Sequence, residues 1–157
     1  MSNVSMDGLV PVDRMRGEDD EETQQLKQHL VEATKYVQGF KWCRWIKDRY
    51  FGIGVGGVVA VFLFRIDPAS REVDEWLWVV SGDLPTAYLV TDQAPDPVST
   101  LVVYCQIMED WIRTVRAGGD LSSVYPIATE PSLENAIALD QRIAFMRREI
   151  IPAFEAG

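Results

Sequence analysis

The run Glu75-Trp-Leu-Trp-Val-Val-Ser-Gly-Asp-Leu-Pro-Thr-Ala-Tyr-Leu-Val90 constrains the fold more than any other part of this chain. Two short stretches rich in aromatic and β-branched residues flank Ser81-Gly82-Asp83, the pattern of a β-hairpin. Trp76 and Trp78 alternate with Leu77 and Val79, so both faces of the first strand are large and apolar. A strand of that kind is covered by helices on each side and does not face water. The segment therefore predicts an antiparallel sheet with helices packed on it.

The rest of the chain supplies those helices. Leu26, Leu30, Ala33, Thr34 and Val37 recur at helical spacing behind the acidic run Glu18 to Glu22, which suits a helix N-terminus. Gly39 closes this segment. Trp42, Trp45 and Ile46 share one face of a short helix expected at Lys41 to Tyr50. Gly52 to Phe64 reads as a glycine-rich entry into a strand, and Asp67-Pro68-Ala69-Ser70 as a turn. With the hairpin this makes a three-stranded meander. Asp96 is placed as an N-cap with Pro97 at the first helical position. Val98, Leu101, Val102, Cys105, Met108, Ile112 and Val115 form the stripe of that helix, which Gly118-Gly119 ends. Ser132 opens a last helix that Pro152 stops. Strands in one block and helices in others indicate α+β, a three-stranded antiparallel meander packed against about four helices. Residues 1–17 lack periodicity and read as a flexible N-terminal arm, with 18–157 a single domain.

Charge narrows the partners. The net charge is −9 and the pI about 4.6, so nucleic acid and anionic membrane are both repelled. The distribution is uneven. Residues 66–140 hold thirteen acids and three bases, whereas residues 39–65 hold five bases and one acid. An acidic half of this kind is either a solvated surface or a docking face for a basic partner. The longest apolar stretch, Phe51 to Phe64, spans 14 residues with four glycines, too short for a membrane helix. The first twenty residues lack the basic start and apolar run of a signal peptide. A cytoplasmic setting is the expectation, with Cys43 and Cys105 as reduced, buried thiols.

Motifs for catalysis are sparse. Gly52-x-Gly54-x-x-Gly57 matches the dinucleotide fingerprint, but that chemistry needs a strand before it and a helix after it. Here the order is reversed, and the glycines are expected to serve a bulge or close packing against Trp42 or Trp45. The single histidine, His29, falls outside the apolar stripe and reads as solvated. Too few His and Cys are present for a zinc site, and no metal or cofactor is expected. Asp74, Glu75, Asp83, Glu109 and Asp110 offer carboxylates without a spaced ligand loop.

The segment Trp78-Val-Val-Ser-Gly-Asp-Leu-Pro-Thr-Ala-Tyr-Leu89, with Tyr104 to Arg116 and Phe145 to Phe154, resembles a group of small uncharacterised bacterial proteins. They share a W-V-x-x-G-D-L-P-x-A-Y-L strand–turn–strand and a Y-x-x-x-M-x-x-W helix. The resemblance implies a compact bacterial domain over roughly Phe40 to Phe154 and transfers no catalytic residue. In general style, small, acidic and α+β, the chain is also similar to immunity proteins of bacterial toxin systems.

Two functional readings follow. The first is a non-enzymatic interaction domain, an immunity-like inhibitor in one version. It binds a basic protein through an acidic and aromatic face that includes Asp83, Tyr88, Asp92, Glu109, Asp110 and Trp111. The second is a small-molecule-binding or enzymatic domain. Its pocket lies between the sheet and the 97–117 helix, lined by Asp83, Tyr88, Asp110 and Trp111. A filled core with an exposed acidic-aromatic patch separates the first from the second.

Overall fold

Asp19 begins the first helix by accepting the Glu22 N–H at 2.8 Å, and Asp20, Glu21 and Glu22 fill the turn that favours negative charge. In the computed structural model, which describes residues 6–156, this helix α1 spans Asp20–Gln38. Leu26, Leu30, Ala33 and Val37 are buried along one stripe. The sheet has five antiparallel strands in sequence order: β1 (Val10–Pro11), which precedes α1, β2 (Cys43–Val55), β3 (Val59–Pro68), β4 (Trp76–Gly82) and β5 (Ala87–Val90). Helices α2 (Pro97–Ala117) and α3 (Leu133–Phe145) follow.

The α+β class and the antiparallel pairing of the Trp-rich hairpin hold, with Leu63 opposite Trp78 and Trp78 opposite Leu89. The central strands alternate between two cores. Val59, Val61, Leu63, Trp78, Val80, Ala87 and Leu89 meet α2 and α3. Ala60, Phe62, Phe64, Ile66, Leu77 and Val79 meet α1. The sheet is thus a middle layer with α1 on one face and α2 and α3 on the other. Trp78 donates its indole N–H to Ala94 O at 2.8 Å, and Tyr104 its hydroxyl to Pro85 O at 2.6 Å. The first ties β4 to the segment that follows β5, the second ties the segment before β5 to α2, and neither buried donor is left unsatisfied.

Five strands replace the expected three, for two reasons. The first is that Lys41 to Tyr50 is not a helix: Cys43 onward belongs to β2. Register shifts between Cys43 and Trp45 and between Ile46 and Asp48 insert extra residues. The first bulge puts Cys43 and Ile46 on one core at a three-residue spacing that imitates a helix, whereas Trp45 points away from it. The second is that the expected arm is not loose from Val10 on. Val10 and Pro11 pair with Phe51 and Tyr50, and Met15 is buried; residues 1–5 lie outside the described part.

The hairpin turn also shifts. Ser81 and Gly82 stay in β4, and the connection runs through residues 83–86. Gly82 has φ +149°, and a Cβ there would sit 2.3 Å from Val58 O, so the glycine is needed for close approach to the β2–β3 turn. That turn carries Gly57 at φ +80°. Gly52 and Gly54 lie in β2, where an added Cβ would strike Pro97 and Leu26 rather than Trp42 or Trp45.

The caps of α2 and α3 follow the sequence. Asp96 accepts from Ser99 N at 2.8 Å, Gly118 is left-handed, and Ser132 accepts from Asn135 N at 3.1 Å. Pro152 does not stop the last helix. Instead α3 passes through a π turn at Met146–Ile150 into α4 (Ile151–Ala156), which contains Pro152. Proline clashes with the carbonyl four residues back and lacks the N–H to bond it. A π turn widens the backbone at that point.

Candidate binding cleft

Five aromatic rings converge where α1 hands over to β2 at the β5 edge of the sheet. Tyr36 leaves the last turns of α1, Phe40 and Trp42 lie in the connection, Tyr88 stands on β5, and Tyr125 follows α2. Phe40 stacks on Trp42 at 4.6 Å between centroids, and Tyr88 meets Phe40 at 5.4 Å and Trp42 at 5.0 Å. Tyr88 reaches this cluster because it alternates with Ala87 and Leu89, which point into the opposite core.

Tyr125 locks the edge strand beneath. Its hydroxyl donates to Tyr88 O at 3.0 Å and accepts from Tyr88 N–H at 3.1 Å. With its own hydrogen used, it accepts from Tyr36 Oη at 3.4 Å. Burial raises the pKa of both Tyr36 and Tyr88, with Tyr125 adding to each, so the cluster presents neutral rings.

Next to it lies a cleft of about 180 Å³, walled by Trp42 and Tyr88, floored by Leu77 and Val90, and rimmed by Glu72, Val73 and Asp74. The rim comes from the loop between β3 and β4. A hydrogen bond from the Ser70 side chain, with one from its own backbone, holds the Glu72 carboxyl below its ordinary pKa. Glu72 and Asp74 are exposed and, among the described residues, neither is in an ion pair.

The expected site residues separate around the fold. Asp83 pairs with Arg142 at 3.2 Å, Glu109 takes Arg147 on both oxygens at 2.6 and 2.7 Å, and Asp110 pairs with Arg113. Trp111 is core, 2% exposed. Tyr88 lies on the α1 side, across the sheet from Trp111. The expected pocket between the sheet and α2 is therefore not formed by these four residues: Trp78, Leu101, Tyr104 and Met108 fill that space. Tyr88 and Asp92 remain on the β5 side. Asp92 is exposed and, among the described residues, without an ion pair.

His29 is not solvated. It is 7% exposed, with Nε2 accepting the Gly57 N–H at 2.9 Å and Nδ1 buried without a partner. Its work is to hold the β2–β3 turn. Both cysteines are free and buried. Burial pushes the Cys105 thiol up to about 12 and raises that of Cys43, so neither is a poised thiolate. Among the described residues no three His, Cys, Asp or Glu cluster to hold a metal ion, and no helix is long and apolar enough to cross a membrane.

A larger groove, about 810 Å³, follows the outer edge of β2 from Cys43 to Tyr50, with Pro11 to Asp13 at one end. Trp45, 55% exposed, stands on it. Here Arg44 pairs with Asp67, Lys47 with Glu75, and Arg49 donates to Thr34 Oγ1. β1 pairs only with Tyr50 and Phe51, so this part of β2 is open, and bulges and charged side chains are the devices that prevent another strand from adding to it.

The sequence did not mark Trp42 as a wall of the cleft or Glu72 as part of its rim. The usable signal was Tyr88, whose place in the alternation puts it on the face opposite Trp78. Compared with known proteins, the chain matches no family model, no curated protein and no solved structure.

Proposed function

We propose that this chain is a non-enzymatic protein-interaction domain that docks a basic segment of another protein on the acidic, aromatic surface at its β5 edge. The observation that carries the reading is that two acids without an ion pair rim a cleft lined by aromatic rings. Asp48, Asp67, Glu75, Asp83, Glu109 and Asp110 all have an arginine or lysine partner. Among the described residues Glu72, Asp74 and Asp92 have none, as is true also of exposed acids elsewhere such as Asp20, Glu21 and Glu134; what sets Glu72 and Asp74 apart is the aromatic cleft that they rim. Uncompensated charge beside partly exposed rings suits a hot spot for a cationic partner. An immunity-like inhibitor of a basic protein is the version that the chain's general style favours.

The test begins with capture of a partner and continues with its association rate. A basic partner whose association slows as salt rises is expected, because exposed charges are screened within about 8 Å at physiological ionic strength. An acidic partner, or binding indifferent to salt, overturns the reading.

A further inference from the structure

We infer that the cleft lined by Trp42 and Tyr88 takes up a single arginine side chain of the partner; this rests on the docking reading above. Size is the first argument. A volume of about 180 Å³ is roughly six water volumes at ~30 Å³ each. It is well below the ~300–1,000 Å³ of pockets that hold drug-sized ligands and cofactors. One long side chain, stem and end group together, fits it.

Shape is the second. The two rings touch, tilted by 59° with centroids 5.0 Å apart, and Phe40 covers one face of Trp42, so the cleft is walled by the ring surfaces that stay exposed and not by a gap between rings. A planar guanidinium lies along such a wall, whereas a methylated ammonium is best held by a cage of several rings. The rim is the third. Two carboxylates from one loop, Glu72 and Asp74, match the forked donors of arginine better than the compact point charge of lysine.

The chain itself builds this arrangement twice with its own arginines. Arg65 sits 5.9 Å over the Trp76 ring and donates to Glu75 at 3.0 Å. Arg44 sits 5.8 Å over Trp45 and pairs with Asp67 at 3.5 Å. In both, tryptophan, carboxylate and arginine form one unit. Trp42 with Glu72 and Asp74 repeats two of the three components. Lys41 and Arg71, exposed beside them in sequence, make no ion pair with either carboxylate.

The experiment follows the tryptophan indole N–H resonances of the full chain during titration with Nα-acetyl-arginine amide, the Trp42 signal being assigned with Trp42→Phe. Isolated residues bind such sites weakly, so the probe is raised to about 10 mM, tenfold above a millimolar Kd. The expected result is a saturable shift at Trp42, absent with the uncharged citrulline analogue. It is at least tenfold weaker with the lysine analogue and in the Glu72→Gln/Asp74→Asn protein. No shift at Trp42, or equal shifts with citrulline or lysine, overturns the arginine assignment. A partner that still binds in a salt-dependent way under those results leaves the docking reading standing. Loss of salt dependence with a positive arginine titration removes the docking reading alone.

Discussion

His29 accepts the Gly57 N–H on Nε2 and therefore carries its proton on Nδ1, which has no acceptor. Burial lowers its pKa from the ordinary 6.5, against opposing charges on Glu32 and Asp83. A lowered folded pKa means that the fold prefers neutral imidazole. The stability this contributes is complete above pH 6.5 and is lost as pH falls from there through the folded value. Protonation would also replace the lone pair that receives Gly57. Melting temperatures measured from about pH 7 to about pH 5, across the ordinary histidine pKa, should therefore fall more steeply in the parent chain than in His29→Gln. The glutamine offers an amide oxygen to Gly57 and has no charge to gain. Parallel curves would show that His29 is not the titrating group.

At the scale of elements, the two edges of the sheet are finished differently. On one side the two-residue β1 covers only Tyr50 and Phe51 of β2, and bulges and charged side chains blunt the part of β2 that it leaves unpaired. On β5 one side chain does it: Tyr125 occupies both the N–H and the C=O of Tyr88. Tyr125→Phe removes both bonds, and the long one from Tyr36, while keeping the ring. Each such bond is worth about 0.5–1.5 kcal/mol net, so denaturant unfolding should show a loss of about 1–3 kcal/mol. The freed edge strand should also raise self-association, visible as a concentration-dependent sedimentation coefficient. An unchanged midpoint would mean that water replaces the hydroxyl at no cost. The elements themselves were readable to different degrees. Asp96, Pro97 and Gly118 delimit α2, and Ser132 opens α3, because caps act within one turn of the chain. The stretch from Lys41 to Tyr50 misled, because its bulges are defined by the partner strand β3. Pro152 misled as well, since a π turn absorbs it inside the helix.

For the whole molecule, net charge is a poor guide to where a partner docks. Glu109 and Asp83 contribute to the acidic half in sequence, yet arginines 38 and 59 residues away neutralise them. Charge reversal should therefore separate the two groups. Glu72→Lys, Asp74→Lys and Asp92→Lys should slow partner association with little effect on folding, as exposed substitutions usually change stability by less than about 0.5 kcal/mol. Glu109→Lys should instead lower the melting temperature, because it sets a like charge beside Arg147, and should leave the on-rate nearly unaltered. The reverse pattern would move the docking face to α2.

Amino-acid order alone determined the α+β class, the antiparallel Trp-rich hairpin, most of α1, and the caps of α2 and α3. Each depends on alternation or spacing over two to four residues, which local backbone geometry reads directly. The tertiary structure decided the rest. It set which acids stay unpaired, which aromatics are core (Trp78 and Trp111) and which gather at an edge (Trp42 and Tyr88). It also buried His29 and put Tyr88 on the face away from Trp111. The cleft joins positions 42, 72–74 and 88 because a meander lays strands distant in sequence side by side and the α1–β2 connection crosses its end. No local periodicity encodes such a meeting, since its energy comes from side chains that become neighbours only once the sheet has formed.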